Sequence, residues 1–141
     1  MKSFYFFVSI LLIFSVTVSA QDKFILVGSG GGFTGTSTVF KVMPNGIIFK
    51  GTGIGEVKFS LCGKIKKGKA KEMVEKVANQ VDAAADFNHP GNLFYFISYT
   101  EDNKERTITW GDADHPVQGD LKKLYDEVLA SVNDVSFKPI K

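Results

Sequence analysis

Gly28, Ser29, Gly30, Gly31, Gly32, Phe33, Thr34, Gly35, Thr36 and Ser37 form the stretch that comes nearest to a chemical motif. Gly30, Gly32 and Gly35 have the spacing of a dinucleotide fingerprint, in which glycines let the backbone close on a pyrophosphate. The same residues nearly spell a phosphate loop. Either chemistry needs a helix to follow, because its N-terminal amides hold the phosphate. Thr36, Ser37, Thr38, Val39 and Phe40 read as a strand instead, and Thr36 stands where a phosphate loop has its lysine, so nucleotide binding is set aside. His89 and His115 each precede a proline, and neither has a second ligand at metal-site spacing. Asp112, Asp114 and Asp120 look like calcium ligands, but Pro116 occupies an acidic position of that signature and its glycine is missing. Asp114 or His115 is read as a cap for the helix that follows. No nucleophile-elbow sequence supports a triad built from these histidines and a serine. The residues therefore predict a chain that is not an enzyme and that carries no metal or cofactor.

Two further groups carry reactive or charged chemistry. Cys62 is the only cysteine, so it has no intramolecular disulfide partner. It follows Lys58, Phe59, Ser60 and Leu61 in a strand-like run, where a free cysteine is expected to serve as a small buried hydrophobe. A reactive thiol, the alternative along with an intermolecular bridge, needs a cation-rich pocket or a histidine. Lys64, Lys66, Lys67, Lys69 and Lys71 crowd five cations into eight residues. They are expected to be a solvated loop and helix start; an anionic lipid, polysaccharide or acidic partner is the alternative. No interleaved aromatic platform accompanies them for nucleic-acid bases.

The chain opens on what reads as an export signal. Residues 1–20 have one cation at Lys2, an apolar run over 4–14, and Val18, Ser19 and Ala20 at a small-residue cleavage site. The run is shorter than the roughly 20 residues a membrane span needs. Cleavage leaves 121 of the 141 residues, beginning at Gln21, with the formal charge lowered from +2 to +1. A chain this neutral has no global attraction for nucleic acid or membrane. Its size suits one core without staples. The expected product is a single exported domain over 21–141, periplasmic or extracellular.

Within it, Phe24, Ile25, Leu26 and Val27 make a strand that the glycines of 28–35 are expected to end. Thr38, Phe40 and Val42 alternate with Val39, Lys41 and Met43; Pro44, Asn45 and Gly46 then turn the chain into Ile47, Ile48 and Phe49. A fourth strand is expected over 56–65. Ala70, Met73, Val74, Val77, Val81 and Ala84 have the spacing of an amphipathic helix over 67–85. Residues 93–100 and 104–110 predict a hairpin with Leu93, Tyr95, Ile97 and Tyr99 on one face and Phe94 and Phe96 on the other. Leu121, Leu124, Tyr125, Val128, Leu129 and Val132 predict a last helix, with Pro116 suited to its first turn. This order predicts an α+β domain in which two helices pack on one face of a mostly antiparallel sheet.

The opening strand, the Ser29, Gly30, Gly31, Gly32, Phe33, Thr34, Gly35 stretch, the late hairpin and the helix after Pro116 together resemble the emfourin family of small inhibitors of protealysin-like zinc metalloproteases. In that family a Ser-Gly-Gly-Phe-Ala-Gly stretch follows the first strand; here one glycine is added and Thr34 replaces the alanine. The likeness extends through Phe96, Ile97, Ser98 and Tyr99, through Ile108, Thr109 and Trp110, and through Leu121, Leu124 and Val128. The region 51–71 is longer and more basic than the family pattern. The resemblance implies the α+β fold and a partner such as a secreted thermolysin-like protease or another exported protein. The seven residues 29–35 are the candidate contact loop, with Phe33 as its apolar anchor; an ordinary tight connection with Phe33 tucked into the core is the alternative, because aromatics are usually buried. The alternative is a non-enzymatic, envelope-associated or structural domain.

Overall fold

The computed structural model describes residues 22–84 and 86–135; the leader at 1–20 lies outside them. Six strands and two helices follow in the order β1 (Lys23–Gly31), β2 (Thr36–Val42), β3 (Ile47–Ile54), β4 (Lys58–Lys64), α1 (Lys67–Ala83), β5 (Leu93–Glu101), β6 (Lys104–Trp110) and α2 (Gly119–Asn133). The sheet is antiparallel throughout, with spatial order β4-β3-β2-β1-β5-β6. This is the expected α+β class.

Strand alternation decides which side is the core. Ile25 and Val27 lie in register with Val42 and Phe40 on one side and with Tyr99 and Ile97 on the other. These six are buried, as are Ile48, Ile108 and Trp110. They form one cluster with Ala70, Met73, Val74, Val77 and Val81 of α1 and with Leu121, Leu124, Tyr125, Val128 and Val132 of α2. Both helices therefore cover the same face. The Pro44, Asn45, Gly46 turn forms as expected, with Gly46 at φ 94 and its amide donating to the Met43 carbonyl. Asp102 and Asn103, both at positive φ, join β5 to β6, the backbone state a two-residue hairpin turn requires.

The expected boundaries shift where pairing overrides local composition. β1 does not end at Gly28: it continues through Ser29, Gly30 and Gly31, which pair with Tyr95, Phe94 and Leu93 of β5. A Cβ on Gly28 would stand 2.9 Å from the Phe96 ring, and one on Gly30 2.7 Å from the Phe94 ring. The glycines thus leave room for two phenylalanine rings to lie down on the face without helices. β4 is shorter than the expected 56–65. It carries a bulge, since Phe49 pairs with Leu61 but Ile48 pairs with Gly63. Cys62 is the extra residue. It is half-buried rather than buried, and packs against the edge of the core.

α1 begins without a side-chain cap at Lys66 and without an acid in its first turn. Lys64, Lys66, Lys67, Lys69 and Lys71 are all exposed around that end, where cations oppose the helix dipole. The apolar stripe, not the terminus, therefore holds this helix in place. α2 begins at Gly119 with Gln118 as its N-cap, and no side chain caps it. Pro116 lies before the first turn, and neither Asp114 nor His115 has the expected capping role. Among the described residues, no helix is long and apolar enough to cross a membrane.

A buried hydrogen bond connects the two layers: the Tyr125 hydroxyl donates to the Gly28 carbonyl at 3.1 Å. Burial pushes the Tyr125 phenol from its ordinary 10.0 up to about 12, with Tyr95 adding to the shift and a hydrogen bond from Ser29 opposing it. Burial likewise raises Tyr99 to about 12, helped by Glu101. A raised phenol pKa means that the fold favours the protonated form. The stability this provides is complete below pH 10.0 and is lost as pH rises from 10.0 to about 12. Urea unfolding across that window should show stability falling with pH. The fall should be shallower in Tyr125→Phe, which has no proton to lose there; an equal slope would remove Tyr125 as its source.

Candidate functional site

The candidate loop 29–35 divides in two. Ser29, Gly30 and Gly31 belong to β1, so the connection to β2 consists of Gly32, Phe33, Thr34 and Gly35. Ser29 faces the helices, in register with Thr38 and Tyr95, and Gly30 forms part of the floor beneath Phe94. Neither presents a side chain at the tip. Gly31, Gly32 and Gly35 have φ of 90, 73 and 64, the left-handed region in which side chains are strained. At Gly31 the demand is also steric, because a Cβ would stand 2.1 Å from the Asn92 carbonyl oxygen. The Gly32 amide donates to that same carbonyl at 2.8 Å, which ties the tip to the segment entering β5.

This frame leaves Phe33 fully exposed, at 108%. Its ring has no place in the core. The register brings two more apolar side chains to the same end of the sheet: Leu93, paired with Gly31 and 57% exposed, and Ile54, paired with Thr36 and 73% exposed. Local sequence did not reveal that these two lie at the same end of the sheet as Phe33, because that depends on which strands are neighbours.

The structure corrects the reading of the histidines as isolated. The hairpin β5–β6 returns the chain to its start, so that the residues before β5 meet those after β6. Asn88 bridges to Thr109, the His89 amide donates to the Thr109 carbonyl at 2.9 Å, and the Asp112 amide donates to the His89 carbonyl at 3.1 Å. The His89 and His115 rings stack at 4.1 Å with 6° between their planes, and Phe87 meets His89 edge-on. Asp112 uses one carboxylate oxygen to accept from the Asp114 amide at 3.1 Å and the other to meet His115 Nδ1 at 2.7 Å. The hydrogen bond to His115, followed by the one from the Asp114 amide, holds the Asp112 carboxyl below its ordinary value. Donor atoms of His89, Asp112 and His115 all lie within 4.8 Å of one another. The remaining acid singled out in the sequence, Asp120, lies in the first turn of α2, where it favours the helix dipole.

No protein-family model matches this chain, and no curated protein matches it.

Proposed function

We propose that this chain is an exported, non-catalytic domain that binds a partner protein through the end of the sheet carrying Phe33, Leu93 and Ile54, and that the partner is a secreted thermolysin-like metalloprotease. The observation that carries the binding reading is the full exposure of Phe33 on a tip that the Gly32 amide ties to the Asn92 carbonyl. A large aromatic side chain gains nothing for the fold in that position. In an interface it is the kind of anchor that carries much of the binding energy. The protease class rests on the emfourin-like stretch at 29–35, and export rests on the leader at 1–20.

The test is to measure thermolysin-like activity with increasing purified protein. Stoichiometric loss of activity at micromolar concentration is the expected result. Full activity at that concentration removes this protease class as the partner.

A further inference from the structure

We propose that His89, Asp112 and His115 bind a zinc-like divalent cation at the corner where the β5–β6 hairpin closes, a property independent of the partner-binding reading. The donor chemistry defines the ligand class. Two imidazoles and one carboxylate suit zinc and its late first-row neighbours, whereas calcium and magnesium prefer all-oxygen sites. The three side chains come from two segments that backbone hydrogen bonds hold together: Asp112 to His89, His89 to Thr109, and His115 to the Asp112 carbonyl at 3.3 Å. The main-chain ordering that ligation requires is therefore already present.

Ion binding needs side-chain rotation and little else. Tetrahedral ligation at ordinary zinc bond lengths puts donor atoms about 3.4 Å apart, against a present limit of 4.8 Å. The parallel stack has to open so that a nitrogen of each ring turns toward one point. His115 is exposed and His89 half-buried, so water has access to complete the coordination shell. The contact between Asp112 and His115 Nδ1 gives the carboxylate one of two uses, as a direct third ligand or as the group that orients His115 while Nε2 ligates.

The experiment is calorimetric titration of zinc into the purified protein, prepared without a histidine tag, together with ring-nitrogen NMR of the two histidines. Expected are one ion per chain, shifts of both His89 and His115 ring signals, and an affinity at least about tenfold weaker in His115→Ala and in Asp112→Asn. Cys62→Ser should bind as the parent does. Because His115 is exposed, its alanine variant should keep the fold, which circular dichroism checks. Absence of saturable binding overturns the site, as does binding that survives His115→Ala undiminished or leaves the histidine signals unmoved.

Discussion

Trp110→Ala should lower folding stability by roughly 3–5 kcal/mol, the range for truncating a large buried aromatic. Trp110 is the last residue of β6 and only 7% exposed. Its ring meets Tyr125 of α2 edge-on at 4.9 Å and lies over Tyr95 of β5 at 6.1 Å. Tyr125 in turn bonds to Gly28 in β1. One side chain therefore couples an edge strand, a helix and the centre of the sheet. Truncation removes its buried area and leaves a cavity beside the buried Tyr125 ring. Total stabilities of about 5–15 kcal/mol make such a loss a large fraction of the whole. Trp110 is the only tryptophan, so the variant has to be followed by far-ultraviolet circular dichroism in urea. The midpoint should fall with the slope unchanged. Trp110→Phe should recover most of the loss; a change under about 1 kcal/mol in the alanine variant would mean that the site collapses around the gap.

What could be read from the sequence was whatever depends on local periodicity. The α2 stripe from Leu121 to Val132 and the alternation of Tyr95, Ile97 and Tyr99 each report which side is buried, because a 3.6- or 2-residue period is fixed by the backbone itself. Pairing is not local. Gly28 and Gly30 look like a strand end, since glycine has no side chain to pack and loses entropy in a strand; they stay extended because β2 and β5 both flank β1 and because two phenylalanine rings need the space above them. The histidine pair is non-local in the same way. His89 and His115 are 26 positions apart, and no local spacing rule joins them, yet the hairpin expected over 93–110 already implied that its two flanks meet. Pro116 is compatible with a first turn, but it follows a turn in which the His115 amide donates to the Asp112 carbonyl and the Asp114 amide to the Asp112 side chain, and α2 starts only at Gly119.

Phe33→Ala should leave folding stability within about 0.5 kcal/mol of the parent, as for surface substitutions outside special features. It should weaken partner binding by roughly 30-fold or more, which corresponds to about 2 kcal/mol at a hot spot. The two expectations separate because the ring is fully exposed: nothing in the fold is lost with it, whereas an interface loses its anchor. A second variant distinguishes the anchor from its frame. Gly31→Ala places a Cβ against the Asn92 carbonyl at a residue with φ of 90. It should therefore lower stability and binding together. Gly35→Ala meets nothing within 4 Å, so only its left-handed backbone is strained, at about 1 kcal/mol, and binding should change less than in Phe33→Ala. The variants are compared by inhibition of a thermolysin-like enzyme, with urea midpoints recorded on the same preparations. Equal inhibition by Phe33→Ala and the parent would move the contact surface away from the tip, and a Phe33→Ala midpoint well below the parent's would return the ring to the core.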